Sequence, residues 1–139
     1  GCIIDFMEDD TKKRTILIVE DEGLLRELLV EKMRLEGFNT FEASDGDVGL
    51  EIALCEQPDM ILLDLLMPKM GGMEVLKRLR EDERGRSIPV IILSNLSEKE
   101  NIAEGAERGA VEYLVKANFG LEEIVAKIKE IGRLRMWWQ

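Results

Sequence analysis

The 139-residue chain has no histidine, and its two cysteines, Cys2 and Cys55, lack any paired spacing. These absences exclude a disulfide framework and a zinc cluster, and they fit a reducing, cytoplasmic setting best. No apolar run approaches the roughly 20 residues that span a bilayer, and the first residues do not follow the pattern of a secretory signal. We therefore predict a chain without a membrane segment.

Basic charge is also scarce, since 19 Lys and Arg residues oppose 29 Asp and Glu residues, for a formal charge of −10. Direct binding of nucleic acid is not expected, because contacts with phosphates need a concentrated basic surface. The chain is 45% hydrophobic, which excludes general disorder and predicts one domain with one core. Part of the negative charge is expected to form a cation site.

Five apolar runs rich in β-branched residues recur along the chain, with segments of helical length between them. The runs cover residues 16–19, 38–41, 60–63, 89–93 and 111–115. Such alternation predicts βαβ units, and therefore a parallel sheet with helices on both of its faces.

The segments between the runs carry helix signals. The first has an apolar face and is expected to end before Gly37, which would follow its C-cap. A second helix is predicted over residues 47–57, and a third is centred on Val75 and Leu76. Ser97 with Glu100 predicts a capping box that starts a fourth helix, which runs to Gly109. A fifth helix has a stripe formed by Leu121, Ile124, Val125, Ile128 and Ile131.

Polar groups capable of chemistry follow four of the predicted strands. Glu20 and Asp21 follow the first, Asp64 the third, Ser94 the fourth and Lys116 the fifth. Ligands of open parallel sheets bind beyond the carboxyl ends of the strands, so these groups are expected to lie together. Several carboxylates in one crevice cannot all stay ionised without a cation. The pattern predicts a divalent-metal site centred on Asp64.

A carboxylate beside a metal can accept a phosphoryl group, because the metal neutralises the charge of the transferred group. Mg²⁺ suits this task, and Mn²⁺ is an alternative. We expect Asp21 and Asp64 to be direct ligands and Glu20 to act through water. The backbone carbonyl of Leu66 would complete the set.

Two further groups suit the phosphoryl oxygens. Lys116 supplies a fixed positive charge for one oxygen, and the Ser94 hydroxyl can donate a hydrogen bond to another. Ser94 would report phosphorylation by moving.

Four segments together resemble the receiver domain of two-component response regulators, of the chemotaxis-regulator type. They read ILIVEDE at 16–22, ILLDLLMP at 61–68, PVIILS at 89–94 and YLVK at 113–116, and the resemblance covers roughly residues 13–133. It implies a five-stranded flavodoxin-like α/β fold with strand order 2-1-3-4-5 and helices on both faces. It also implies Mg²⁺-dependent phosphorylation of Asp64 by a histidine kinase or phosphotransfer protein.

The resemblance further implies a switch made by Ser94 and Tyr113, although Tyr113 could equally be ordinary core. The switch would alter the face made by the fourth helix, fifth strand and fifth helix, which would contact a downstream effector protein or a second copy in a homodimer. Such a chain is a phosphoacceptor signalling domain that assists its own phosphorylation and dephosphorylation, and not an enzyme in the usual sense.

Three positions depart from the family pattern. Ala117 follows Lys116 where the family has a cis proline, so we expect a trans loop, and the reach of Lys116 is in question. Asn95 stands where a small alanine is common, and either crowds the phosphoryl group or gives it a donor. Gly71-Gly72 is expected to loosen the loop after Asp64. Ala117 and Asn95 motivate an alternative, a receiver-like scaffold with weak or lost phosphorylation that acts through protein contacts.

Leu66 and Leu96 bear on the lifetime of the phosphorylated state. They lie two residues after Asp64 and Ser94, where receivers often place polar groups that orient water. Apolar side chains cannot activate water, so we predict slow autodephosphorylation.

The predicted domain covers residues 14–133, with a leader at 1–13 that is either disordered or a cloning remnant, and a helix extension or tail at 134–139. Trp137-Trp138 in that tail would cover an apolar surface, mediate self-association, or mark the cut end of a longer chain. Cys55 is expected to be a buried small hydrophobe.

Overall fold

A computed structural model describes residues 13–138. Five strands form one parallel sheet in the order β2-β1-β3-β4-β5. They are β1 (Thr15–Val19), β2 (Asn39–Ala43), β3 (Met60–Leu63), β4 (Val90–Ser94) and β5 (Glu112–Val115). The predicted fold class and strand order are confirmed. Except for Lys13, the predicted leader lies outside the described residues.

Five α-helices connect and follow the strands. They are α1 (Gly23–Leu35), α2 (Gly46–Glu56), α3 (Gly72–Glu81), α4 (Lys99–Glu107) and α5 (Leu121–Leu134), and a 3₁₀ turn covers Lys116–Asn118. Gly37 follows the C-cap of α1 with a φ of 94°, a conformation that glycine adopts without strain, as predicted. None of the helices in this part of the chain is long and apolar enough to cross a membrane.

The predicted capping box at Ser97 is wrong. The N-cap of α4 is Glu98, without a side-chain cap bond, and the carbonyl of Glu98 accepts from the amides of Asn101 and Ile102. Ser97 lies before the helix, and Glu98 takes the N-cap position, with its side chain accepting a hydrogen bond from the Asn101 side chain at 3.1 Å.

The sheet separates two apolar layers, because alternate side chains of each strand point to opposite faces. Ile16 and Ile18 join α1 and α5 in one layer. Leu17 and Val19 join α2 and α3 in the other. The three central strands β1, β3 and β4 are buried almost throughout, as expected where helices cover both faces of a parallel sheet.

Cys55 is exposed, so its predicted burial is wrong. The buried residues of α2 are small ones, Gly46, Gly49 and Ala53. Cys55 lies two residues after Ala53, which turns its side chain about 200° around the helix and away from the sheet.

The tail folds back on the start of the sheet. Trp137 meets Phe38 edge to face at 6.3 Å, and the Arg14 guanidinium lies 5.7 Å from the centre of the Trp137 ring. The Trp137 amide bonds to the Gly132 carbonyl and the Trp137 carbonyl accepts from Arg14. Trp137 therefore covers an apolar surface, the first of the three interpretations of this tail. Trp138 is half exposed, and self-association stays a prediction.

Candidate functional site

The pairing of β1 with β3 brings the predicted acids together. Val19 is opposite Leu63 in the sheet, and the Asp64 amide bonds to the Val19 carbonyl at 3.0 Å. Glu20 and Asp64 therefore leave the sheet side by side. Carboxylate oxygens of Glu20, Asp21 and Asp64 lie within 4.8 Å of one another. The three acids therefore converge on one crevice, as predicted.

Asp64 is 4% exposed, and both of its carboxylate oxygens have donors. Its Oδ1 accepts from the amides of Leu65 at 2.7 Å and Leu66 at 3.4 Å, and its Oδ2 accepts from Lys116 Nζ at 3.1 Å. These bonds fix the carboxylate at the carboxyl end of β3.

Lys116 lies between two acids, with Nζ 2.7 Å from Glu20 Oε1 and 3.1 Å from Asp64 Oδ2. Burial acts to lower the pKa of the Lys116 ammonium, but its bonds to Glu20 and Asp64 prevail and the pKa lies above its ordinary value. The backbone of residues 13–138 contains no cis peptide bond, so the loop is trans at Ala117, as predicted. The lysine nevertheless reaches Asp64.

Glu20 is 2% exposed. Burial raises the pKa of its carboxyl, against the lowering effects of Lys116 and of the Glu22 amide, which bonds to Glu20 Oε2 at 3.1 Å. Asp21, by contrast, is exposed. One ammonium faces three carboxylates here, so the crevice has an excess of negative charge.

The donor set fits a hard divalent cation. Mg²⁺ prefers an octahedron of oxygens, in which ligands on opposite sides lie about 4 Å apart. The three carboxylates are already nearly that close, and their mutual repulsion is relieved by such an ion. Asp21 and Asp64 would hold it directly. Glu20, whose oxygens accept from Lys116 and from the Glu22 amide, would contact the ion through water.

Ser94, Leu96 and Tyr113 form a chain of contacts beside the acids. Ser94 is fully buried at the end of β4, and its Oγ accepts from the Leu96 amide at 3.4 Å. The Tyr113 hydroxyl donates to the Leu96 carbonyl at 2.5 Å. Burial raises the pKa of Tyr113, with added effects from the charges of Glu98 and Asp64. Tyr113 is on β5, an edge strand, and is only half-buried, which is unlike a core residue of a central strand.

Asn95 directly follows Ser94 in the chain. It is exposed, and with Lys116 and Ala117 it lines a cavity of about 370 Å³ between the first turns of α1 and α5. The side chain of Asn95 is therefore near the lysine end of the crevice.

The loop after Asp64 is packed, where the glycine pair suggested looseness. A Cβ on Gly72 would lie 2.2 Å from the Asp64 carbonyl oxygen, so only glycine permits this approach of α3 to β3. The Gly72 amide also bonds to the Leu65 carbonyl at 3.0 Å. Leu66, between them, is 58% exposed at the mouth of the crevice.

Arg26 is a contact of the site for which the sequence pattern contains no signal. Its Nη1 donates to the carbonyl of Glu20 at 2.8 Å, and its Nε donates to Glu42 at 3.2 Å. An arginine in the second turn of an amphipathic helix is ordinarily a solvated residue, and only the folded β1–α1 connection reveals its acceptor.

Residues 16–129 match the family described as the response regulator receiver domain. RpaA, a DNA-binding dual master transcriptional regulator of Synechocystis, is 37% identical over 118 residues, 85% of this chain and 48% of RpaA. The phosphate regulon transcriptional regulatory protein PhoB of Escherichia coli is 38% identical over 120 residues, 86% of this chain and 52% of PhoB. The chain thus spans about half the length of these relatives.

Solved structures give the same result. A putative response regulator from Chloroflexus aurantiacus superposes with a TM-score of 0.79 at 30% identity, covering 86% of this chain and 98% of that one. The Vibrio cholerae chemotaxis protein CheY4 superposes with a TM-score of 0.80 at 27% identity, with the same coverage. With the family match over most of its length and the predicted strand order in place, this chain belongs to the response regulator receiver domain family.

Proposed function

We propose that this domain accepts a phosphoryl group on Asp64 from a histidine kinase or phosphotransfer protein. The observation that carries the proposal is the position of the Asp64 carboxylate, buried, held by two amides and Lys116, and beside two other acids. In the transfer, an Asp64 oxygen forms a bond to phosphorus as the phosphorus–nitrogen bond of phosphohistidine breaks. The leaving imidazole keeps that electron pair and takes a proton.

A divalent cation, Mg²⁺ or Mn²⁺, would be held by Asp21, Asp64 and the Leu66 carbonyl, with Glu20 contacting it through water. When bound, it neutralises the negative charge of the phosphoryl oxygens and so permits their approach to the acids. The excess of carboxylates over ammonium groups in the crevice supports this assignment.

The phosphoryl oxygens would be recognised by Lys116, Ser94 and Asn95. Lys116 already contacts Asp64 and needs only to exchange one carboxylate oxygen for a phosphoryl oxygen. The Ser94 hydroxyl lies at the end of the neighbouring strand and can donate to a second oxygen. Asn95, exposed beside Lys116, is suited to donate from outside.

The switch would be the path from Ser94 through Leu96 to Tyr113. If Ser94 turns toward a phosphoryl oxygen, its bond with the Leu96 amide is disturbed, and Leu96 is the residue whose carbonyl holds Tyr113. Release of Tyr113 would change the face of α4, β5 and α5. A downstream effector protein, or a second copy of the domain, would read that face.

The alternative is a scaffold with weak or lost phosphorylation, and one of its two supporting arguments does not hold. It was based on doubt about the reach of Lys116 without a following proline, and Lys116 contacts Asp64 with Ala117 in place. Asn95 alone does not favour it.

We place the domain in the cytoplasm, with protein partners. RpaA is described as DNA-binding, but the chain matches only about half of RpaA, and its own charge is −10. We therefore propose that the described domain does not contact nucleic acid directly.

Intact mass after incubation with Mg²⁺ and a small acyl-phosphate donor tests the proposal. We expect a gain of one phosphoryl group, which is lost in Asp64→Asn and in the presence of a chelator. Because Asn is nearly the same shape as Asp, a folded variant isolates the carboxylate. A folded wild-type chain that gains no mass would leave the scaffold as the better interpretation.

The lifetime of the product gives a separate prediction. Leu66 is largely exposed at the mouth of the crevice and Leu96 is partly buried. Because both side chains are apolar, neither can orient a water molecule. We expect slow autodephosphorylation, and a faster rate in Leu66→Asn, which adds polar atoms at the mouth. Loss of phosphate within seconds from purified wild type, without a phosphatase, would contradict this prediction.

A further inference from the structure

Asp21 has an unusual place among the three acids. Its side chain is exposed, and no hydrogen bond of the described residues holds its carboxylate, whereas Glu20 and Asp64 are buried and bonded. The direction of the Asp21 side chain is therefore set by the peptide that precedes it, between Glu20 and Asp21.

That peptide is held through its carbonyl, and the peptide before it is held through the Glu20 amide. The amide of Glu20 donates to the Ala43 carbonyl at the end of β2 at 3.0 Å. The carbonyl of Glu20 accepts from Arg26 Nη1, on α1, at 2.8 Å. Together these bonds fix the plane of the backbone as it leaves β1, just before Asp21.

The charge of Arg26 is otherwise unfavourable in this place. A guanidinium near three carboxylates weakens their attraction for a cation, since the two positive charges repel. Glu42 on β2 lies 3.2 Å from Arg26 Nε and neutralises that charge. The pairing leaves the hydrogen bond to Glu20 as the main effect of Arg26 on the site.

We propose that Arg26 is a positioning residue of the cation site, which fixes the Glu20–Asp21 peptide so that Asp21 faces Glu20 and Asp64. The inference rests on the proposed function, because it takes the three acids as a site for Mg²⁺. In this proposal Glu42 neutralises the positive charge of Arg26. Residues that orient a metal ligand typically change the affinity by about 10-fold or more when they are replaced.

Calorimetric titration of the full chain with Mg²⁺ separates positioning from charge. Arg26→Met removes both the hydrogen bond and the positive charge. If positioning dominates, Mg²⁺ binds about tenfold more weakly. If Arg26 acts only through its charge, the same variant binds Mg²⁺ more tightly, and the proposal is overturned. Circular dichroism confirms that each variant is folded.

Two matched variants complete the test. Arg26→Lys keeps one donor for the Glu20 carbonyl, so we expect an affinity between those of wild type and Arg26→Met. Glu42→Gln keeps the contact but exposes the charge, so we expect less than about threefold weakening, removed by added salt. If Arg26→Met does not fold, Arg26→Gln, which also removes the charge and shortens the side chain, replaces it: binding as tight as that of wild type overturns the proposal.

The titration also distinguishes failure of the proposed function from failure of this inference. A wild-type chain that is folded and binds no Mg²⁺ would overturn the cation site itself, and this inference with it. A wild-type chain that binds Mg²⁺, with Arg26→Met binding equally well, would overturn only the role of Arg26.

Discussion

Charged residues at the two edges of the sheet are arranged differently. At the amino ends of the strands, Arg14 pairs with Asp59 at 3.5 Å, and Arg80 donates to four backbone carbonyls. At the carboxyl ends, three carboxylates lie close together and one lysine pairs with two of them. The first arrangement satisfies its charges within the protein, and the second leaves an excess that a ligand must satisfy. We therefore expect the charged residues at the amino ends of the strands to stabilise the fold. The carboxylates at the carboxyl ends repel one another, and we expect a bound ligand to relieve that repulsion.

Arg80 gives the largest expected effect. Its guanidinium joins the carbonyls of Gly85, Arg86 and Ile88, before β4, to that of Gly109, before β5. Hydrogen bonds to charged groups contribute about 1.5–3 kcal/mol each, and water replaces some of them after a substitution. We expect Arg80→Met to lower the free energy of unfolding by about 2–4 kcal/mol, measured by urea denaturation with tryptophan fluorescence.

Arg78→Met is the matched control. Arg78 is on the same helix, exposed, and pairs with Glu74 one turn away. Such surface pairs contribute about 0.5 kcal/mol or less. Equal losses in the two variants would mean that the carbonyl contacts of Arg80 do not stabilise this edge.

The sequence predicts the acids that follow the strands better than it predicts the arginine contacts with backbone carbonyls. Glu20 and Asp64 interrupt apolar runs, and a polar residue directly after a buried strand is a local signal that survives folding. Arg80 and Arg26 act on carbonyls of other elements, which no local pattern indicates. Both failed predictions concern single positions on helices: the N-cap of α4 is Glu98 and not Ser97, and Cys55 lies opposite the small buried residues of α2.

The Asp21→Asn variant should reveal the repulsion among the three carboxylates as a change in stability. Without metal, removing one of three carboxylates that lie within 4.8 Å relieves about 0.5–1 kcal/mol of repulsion, so the variant should be more stable than wild type. At an Mg²⁺ concentration 100 times the Kd, wild type gains about 2.7 kcal/mol and the variant gains less, so the order reverses. Urea denaturation with and without Mg²⁺ measures both differences.

Glu27→Gln controls for the general effect of removing one negative charge from an acidic protein. Glu27 is exposed on α1 and is not one of the three acids. Its stability should not depend on Mg²⁺ any differently from that of wild type. A metal-free Asp21→Asn variant that is less stable than wild type would show that the carboxylates do not strain the fold.

Glu36 is expected to have the smallest effect on stability, and its pH dependence is opposite in sign to that of Glu20. It lies in the turn between α1 and β2, where Lys129 at 2.7 Å and Lys32 at 3.3 Å lower the pKa of its carboxyl. Its contribution to stability is therefore present above its ordinary pKa of 4.5 and is lost as the pH falls through the lower, folded value. The raised pKa of Glu20 acts in the opposite sense, because a folded state that binds its proton more tightly loses stability as the pH rises above 4.5.

Urea denaturation of Glu36→Gln across pH 3–6 tests this contrast. Both lysines are on helices α1 and α5, so the contact links the two helices of one layer, and the glutamine should remove part of the loss of stability below about pH 4.5. Because the Glu36 side chain is partly exposed, salt should weaken the effect. Glu31→Gln, on α1 and exposed, is the control with an unchanged acid slope. A Glu36→Gln profile parallel to that of wild type at low salt would mean that the Glu36 pairing does not link protonation to folding, and the difference between the two edges would then rest on Arg80 and on the Arg14–Asp59 pair.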